Sequence, residues 1–224
     1  MSSDDTLRCF SVRHLTVKYK NGAQSSKVLD NLTLTLGPSS VAIAGPSGSG
    51  KSTLLRVLAG LQKPTSGSVQ LANKPIESSP LLGIAKGVSF VQQEYPLIDF
   101  LNVRDNIALA AELAGEEISD VQIDELLEMV LLPSFAKRRT HTLSGGQRQR
   151  IAIARALAAR PIALLADEPT GALDGEASEM VGRLLMRIPK VRNTIVIVAT
   201  HDPTIYNLAD DKMQLNNGKL DLAS

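Results

Sequence analysis

Val41-Ala42-Ile43-Ala44 runs into Gly45-Pro46-Ser47-Gly48-Ser49-Gly50-Lys51-Ser52, and Thr53-Leu54-Leu55-Arg56-Val57-Leu58-Ala59 follows directly. The first four residues are an apolar run of buried-strand length, and the last seven have helical composition. The eight between them satisfy G-x-x-x-x-G-K-[S/T] in full. Glycines at this spacing let backbone N–H groups turn inward around an anion, and the positive end of the following helix faces the same point. Lys51 is placed to bridge β- and γ-phosphates, and the Ser52 hydroxyl to join the shell of a Mg2+ ion. A Gly/Ser turn without a ligand requires neither the Lys-Ser pair nor the flanking elements. The expected ligand is a nucleoside triphosphate held by Gly45, Pro46, Ser47, Gly48, Ser49, Gly50, Lys51, Ser52 and Thr53.

Outward from this loop, short β-like runs alternate with helical patterns, which predicts an α/β domain around a largely parallel sheet. Val88-Ser89-Phe90-Val91, Ile162-Ala163-Leu164-Leu165-Ala166 and Thr194-Ile195-Val196-Ile197-Val198 have buried-strand length. Phe10 to Tyr19 and Leu32 to Leu36 show period-two apolar spacing, and Asn217-Gly218 marks a hairpin turn. Between residues 94 and 142 the pattern turns helical: Ser119 with Gln122 reads as a capping box, followed by Ile123, Leu126, Leu127 and Val130 at helical spacing. The expected organisation is a single domain over 1–224, with a catalytic α/β core from 1–93 and 158–224 and an inserted helical subdomain over 94–157.

The 224 residues suffice for such a domain, and 43% hydrophobic with 21% charged residues excludes wholesale disorder. The formal charge of +1 gives no reason to expect nucleic acid, and Lys137-Arg138-Arg139 reads as a solvated helix end. Cys9 is the single cysteine, which excludes an intrachain disulfide and a Cys-rich zinc site. The acidic start Met1-Ser2-Ser3-Asp4-Asp5 is unlike a secretory leader, and no run of about 18 apolar residues occurs. A soluble, cytosolic chain is expected.

A nucleotide site of this kind needs a second carboxylate at the end of another buried strand. Ile162 to Ala166 runs into Asp167-Glu168. Asp167 is placed to hold Mg2+, directly or through water, and Glu168 to polarise the water attacking the γ-phosphate. Leu143-Ser144-Gly145-Gly146-Gln147-Arg148-Gln149-Arg150 adds a helix capped by Ser144 with two glycines in its first turn. Exposed N–H groups and a hydroxyl at a positive helix end form a second phosphate clamp. A chain that already carries one clamp uses the other best across a dimer.

This last run resembles the signature motif of ABC-type ATPases, and the resemblance extends from about Phe10 to Leu220. It implies a P-loop NTPase core of mostly parallel sheet flanked by helices, an N-terminal antiparallel β part and the inserted helical subdomain. Tyr19 resembles the aromatic residue that stacks on adenine, a contact worth about 1–3 kcal/mol; read alone it is a half-buried strand tyrosine. Gln93, in Val91-Gln92-Gln93-Glu94, resembles the glutamine that contacts Mg2+ and senses the γ-phosphate, and the adjacent Gln92 leaves the choice between the two open. Pro169 to Asp174 resembles the segment leading to the D-loop, with Asp174 facing a partner subunit. His201, before Asp202-Pro203, resembles the switch histidine at the γ-phosphate. His14 and His141 are read as surface residues. Gly37-Pro38-Ser39-Ser40 departs from the Gly-Glu common before the phosphate-loop strand and touches no catalytic role.

The resemblance further implies ATP and Mg2+ as cofactors and a homodimer that ATP closes, each ATP lying between one phosphate loop and Ser144, Gly145, Gly146 and Gln147 of the other copy. The expected partner is an integral membrane permease that handles the cargo, placing this chain on the cytoplasmic face of the cell membrane. Asp167 to Asp174 with the Leu-Ser-Gly-Gly-Gln run is most similar to the ATPases of lipoprotein-releasing, macrolide, antimicrobial-peptide, haem-efflux and cell-division systems. Lys20 to Lys27 adds to that likeness. Extraction or efflux of a hydrophobic or amphipathic cargo is the expected role. A conventional importer, a cell-division ATPase regulating an extracytoplasmic hydrolase, and a soluble non-transport ATPase are the alternatives. The last usually carries a coiled-coil or zinc insertion, and none is present here.

Overall fold

The computed structural model describes residues 8–21, 24–77, 84–92 and 97–222. Strands β1 (Phe10–Asn21) and β2 (Gln24–Leu36) pair antiparallel, and β4 (Ser66–Leu71) with the two-residue β5 (Lys74–Pro75) completes a sheet of order β2-β1-β4-β5. The second sheet has order β10-β9-β3-β8-β7-β6. Its strands β3 (Ser40–Ala44), β6 (Val88–Val91), β7 (Ala163–Asp167), β8 (Ile195–Ala199) and β9 (Asp211–Asn216) are parallel, and β10 (Lys219–Leu222) returns antiparallel from β9. The return uses the turn expected at Asn217-Gly218, with φ 48° and 74°.

The strands are apolar on both sides because the sheet separates two cores. Val41 and Ile43, Ala163 and Leu165, and Ile195, Ile197 and Ala199 pack on one face with α1 (Lys51–Leu58) and the antiparallel sheet. Ala42, Leu164 and Ala166, and Val196 and Val198 pack on the other, against the helices α2 (Val103–Leu113), α3 (Asp120–Met129), α4 (Gly145–Ala158) and α5 (Gly175–Arg192). Side chains on a strand alternate faces, so an uninterrupted Val/Ile/Leu/Ala run is what two-sided burial requires.

Helices α2 to α4 lie between β6 and β7 in the chain, and their buried residues join α5 in one continuous apolar cluster. Each begins on a side-chain cap. Asn102 accepts from the Asp105 N–H, and Ser119 with Gln122 and Ser144 with Gln147 form reciprocal capping boxes. Lys137-Arg138-Arg139 are exposed and lead into a 3-10 helix over Thr140–Thr142, whose N-cap is Arg139. α3 stops at Met129, Arg138 stacks on the Phe135 ring, and Arg139 pairs with Asn102 as an isolated bridge. The strands expected over Ile162–Ala166 and Thr194–Val198 each begin and end one residue later.

Strand register sets up everything that follows. Asp167 on β7 pairs with Ala199 on β8, and Ala199 pairs with Ile43 on β3. The three strands therefore end level, and the chain segments leaving them emerge side by side at the carboxyl edge, where open α/β sheets hold their ligands.

Candidate nucleotide site at the carboxyl edge of the sheet

Leaving β3, Gly45 takes φ 153° with its α-carbon against β9: a Cβ there would lie 2.2 Å from the Leu215 carbonyl oxygen. Only glycine fits. The loop closes with the Ser49 N–H donating to the Pro46 carbonyl at 3.1 Å, and its tip, Pro46 to Gly48, is exposed. Helix α1 starts after Gly50 without any side-chain cap and with no acidic residue in its first turn. Its leading N–H groups are thus left to an external acceptor, at the positive end of the dipole. The Lys51 ammonium donates to the carbonyls of Gly45 at 2.7 Å and Pro46 at 3.2 Å, curled over the loop. Ser49 is buried, with its hydroxyl unpartnered. Thr53 is half-buried in the first turn of α1.

Beside the loop, Ser52 hydrogen-bonds the Asp167 carboxyl, while Asp167 Oδ1 is buried without a partner. Burial, helped by the neighbouring Glu168 charge, raises the Asp167 pKa above its usual value, a push that the Ser52 hydrogen bond and the charges of Arg56 and Lys51 oppose. A hydroxyl beside an orphaned carboxylate oxygen is a hard-oxygen donor set suited to Mg2+ completed by phosphates and water. Among the described residues no cluster of three or more acid, His or Cys side chains exists, and Mg2+ of this type needs none.

Glu168 has φ 49°, a left-handed conformation that costs a non-glycine residue about 1–2 kcal/mol. Its N–H donates to the Ala199 carbonyl at 2.9 Å, so β8 holds the turn in place. Glu168 Oε2 lies 2.8 Å from His201 Nδ1 and also accepts from the His201 N–H at 3.3 Å. His201 is otherwise exposed, and Asp202-Pro203 starts helix α6 (Pro203–Leu208) as expected, with the Asp202 side chain accepting from the Thr204 N–H.

The signature turn forms a second group. Ser144 Oγ accepts from the Gln147 N–H at 3.3 Å, and Gln147 Oε1 accepts from the Ser144 N–H at 3.0 Å. Gly145 and Gly146 lean on the start of α5: a Cβ on Gly146 would sit 3.0 Å from Ala177 Cβ, and one on Gly145 3.6 Å from Leu173 Cδ2. Asp174, exposed, caps α5 by accepting from the Ala177 N–H at 2.9 Å. No hydrogen bond or ion pair among the described residues links Ser144 to Gln147 with the phosphate loop, Asp167, Glu168 or His201.

Tyr19, 44% exposed on β1, has its hydroxyl donating to Gln62 Oε1 at 2.8 Å. Gln92 is exposed at the end of β6, and Gln93 lies outside the described residues. His14 and His141 are exposed, as read. A concavity of about 870 Å³ between β2 and the β9–β10 hairpin contains none of the motif residues. Sequence reasoning missed the residues that hold others in place: Gln62 on Tyr19, Thr200 under Asp202, and Ser178, whose hydroxyl donates to Asp202 at 2.7 Å. No motif marks them: Gln62 and Ser178 act through contacts far along the chain, and Thr200 through the backbone N–H two residues on.

No helix among the described residues is long and apolar enough to cross a membrane. The ABC transporter family matches residues 29–171. The lipoprotein-releasing system ATP-binding protein LolD 1 of Rhodopirellula baltica is 36% identical over 93% of this chain and 94% of its own length. The methionine import ATP-binding protein MetN of Francisella tularensis is 37% identical over 91% of this chain and 60% of its own. The chain spans only 44% of the length of ABC transporter ATP-binding proteins that it matches in Mycoplasma. Among solved structures, the ATP-binding cassette MJ0796, a dimer in a post-hydrolysis state with ADP and Pi, aligns at TM-score 0.80 and 32% identity over 95% of this chain and 98% of that one. With its phosphate loop, signature turn and level strand ends, the chain belongs to the ABC transporter family, as an ATP-binding cassette of the P-loop NTPase fold.

Proposed function

We propose that the chain hydrolyses ATP as one of two identical cassettes and that this drives a separate membrane permease. The observation that carries the reading is the division of the motif residues into two groups on one protomer. The phosphate loop, Asp167, Glu168 and His201 sit at the carboxyl edge of the sheet. The Ser144 to Gln147 turn and Asp174 form their own cluster, with Ser144 and Asp174 exposed and Gly145 to Gln147 half-buried, and no direct hydrogen bond or ion pair among the described residues joins it to the first. Two copies related by a two-fold axis bring each cluster to the other's loop. The dimeric state of the MJ0796 cassette supports this arrangement.

In this reading Lys51 and the N–H groups of the loop and α1 hold the β- and γ-phosphates, and Tyr19 stacks on the adenine. Ser52 and Asp167 would hold Mg2+, with Gln93 as a further contact. Bound there, Mg2+ offsets negative charge on the phosphate oxygens. Glu168 accepts a proton from the attacking water, and His201, fixed on Glu168 through its N–H and Nδ1, fixes the direction of the base. Residues 94–157 act as the helical subdomain that carries the signature turn relative to the core of 1–93 and 158–224. Residues near Gln93 receive the permease at the cytoplasmic membrane face, so the cassette touches neither cargo nor nucleic acid.

The likeness to a lipoprotein-releasing cassette over nearly the whole of both chains supports extraction of a lipidated or otherwise amphipathic cargo. The methionine import relative supports import as the second reading. Tagged Glu168→Gln protein, captured with ATP and Mg2+ from detergent-solubilised membranes, tests both. Recovery of an integral protein with few spans and a large extracytoplasmic domain is the expected result. A many-span permease would replace extraction with import. Capture of ribosomal proteins or DNA without a membrane partner would overturn transport.

A further inference from the structure

Helices α5 and α6 are fastened at two points one turn apart. The Ser178 hydroxyl donates to Asp202 Oδ2 at 2.7 Å, and at Gly182 a Cβ would lie 3.0 Å from Ile205 Cγ1. Residues four apart share a helix face, so Ser178 and Gly182 form one seam against α6. Ser178 is 8% exposed, and its backbone N–H donates to the Asp174 carbonyl at 2.8 Å, closing the first turn of α5. That same turn supplies Leu173 and Ala177, on which Gly145 and Gly146 of the signature turn rest.

On the far side of the seam, Asp202 is held from three directions. Oδ2 accepts from Ser178, Oδ1 accepts from the Thr204 N–H at 2.8 Å, and its own N–H donates to Thr200 Oγ1 at 2.9 Å. Burial opposes its charge, but the hydrogen bonds its carboxylate accepts from Ser178, Thr204 and Ile205 hold its pKa below the usual carboxylate value. The residue immediately before it is His201, whose backbone N–H and Nδ1 both lie on Glu168. Contacts thus run without a break from the signature turn through the start of α5, Ser178 and Asp202 to the Glu168–His201 pair.

We propose that Ser178 is a positioning residue for ATP hydrolysis, fixing His201 through Asp202 and tying it to the helix start that carries Asp174 and supports the signature turn. This rests on the reading of Glu168 and His201 as catalytic. The half of the molecule that serves the partner's nucleotide is thereby mechanically joined to the half that works on its own. A hydroxyl that merely capped α6 would change stability and leave turnover alone. A positioning hydroxyl changes kcat at unchanged nucleotide affinity.

The test is steady-state ATP hydrolysis by the full chain, with nucleotide affinity from a fluorescent ATP titration and a thermal melt for each variant. Ser178→Ala is expected to lower kcat about tenfold, the scale of one hydrogen bond to a charged group, with affinity unchanged. In an Asp202→Ala background the same substitution has no further effect on kcat. Should Ser178→Ala not fold, Ser178→Cys keeps the volume with a weaker donor and lowers kcat about threefold. Turnover within twofold of the parent, or a full-sized loss persisting without Asp202, overturns the proposal. Glu168→Gln and His201→Ala run alongside. If those two keep parental turnover, the catalytic reading falls and takes Ser178 with it. If they lose turnover while Ser178→Ala does not, only the Ser178 proposal falls.

Discussion

Replacing Glu168 by glutamine separates chemistry from binding at this site. The amide keeps the size of the side chain and an oxygen to accept from the His201 N–H, now at 3.3 Å, but loses the charge that faces His201 Nδ1 at 2.8 Å. That pair is screened, because the His201 side chain is 72% exposed and that of Glu168 22%. Such a pair contributes about 0.2–1 kcal/mol, which in a domain of this size moves Tm by no more than about 4 °C. The left-handed backbone at residue 168 is unchanged, since glutamine strains there as glutamate does. In the proposed reading nucleotide affinity is held by Lys51, the loop N–H groups and Ser52, none of which hydrogen-bonds Glu168, so Kd is expected to stay within about threefold. Turnover falls by about 10²–10⁴, the usual contribution of a general base. Phosphate release at saturating ATP and Mg2+, fluorescent ATP titration and a melt measure the three quantities. A folded Glu168→Gln protein that keeps more than about a tenth of parental turnover refutes the assignment.

The other consequences are simpler to state. Gly45→Ala forces a Cβ to within 2.2 Å of the Leu215 carbonyl at φ 153°; a cost of about 3 kcal/mol lowers Tm by about 6–12 °C, and a melt unchanged from the parent contradicts the packing. Mixing Lys51→Ala with Ser144→Arg subunits, each inactive alone, restores one intact composite site per heterodimer, about a quarter of parental turnover in a random mixture; no recovery with heterodimers present rules out sites shared across the interface. Asp210 accepts from the Ser40 hydroxyl at 2.6 Å, which holds its pKa below 3.8. Its folded form therefore holds its proton less tightly than the unfolded chain does, so the stabilisation is complete above pH 3.8 and disappears as pH falls below it. Asp210→Asn flattens that acid limb in urea melts, and an unaltered limb removes the assignment.

Much of this was legible in the sequence because its signals are local. A strand, eight loop residues and a helix start lie within Val41 to Ala59, and the Ser119 capping box spans four residues, as does the first turn after the Ser144 cap, so short stretches of sequence locate them. The two-core sheet was legible as Val/Ile/Leu/Ala runs, because burial on both faces removes polar alternation. What could not be read depends on pairings across long stretches of chain. The seating of Gly45 on β9 joins residues 45 and 215, and the Ser178–Asp202 bond joins α5 to α6.

The adjacent acids at the end of β7 illustrate why identity and geometry are separate questions. Neighbouring residues on a strand point to opposite faces. Asp167 follows Ala163 and Leu165 toward the α1 side, which is how it reaches Ser52 and becomes buried. An extended Glu168 would point to the α5 side with Leu164 and Ala166, away from the loop. At φ 49° the backbone turns at that residue instead, and the N–H to Ala199 carbonyl bond fixes the turn while the carboxylate swings to His201. Backbone strain of this kind persists only where surrounding contacts over-determine it. Here the contacts are those of β8 on one side and the start of α6 on the other. The same two elements that force Glu168 out of the strand thus set its reach toward His201, so the strain and the proposed base position have one structural cause.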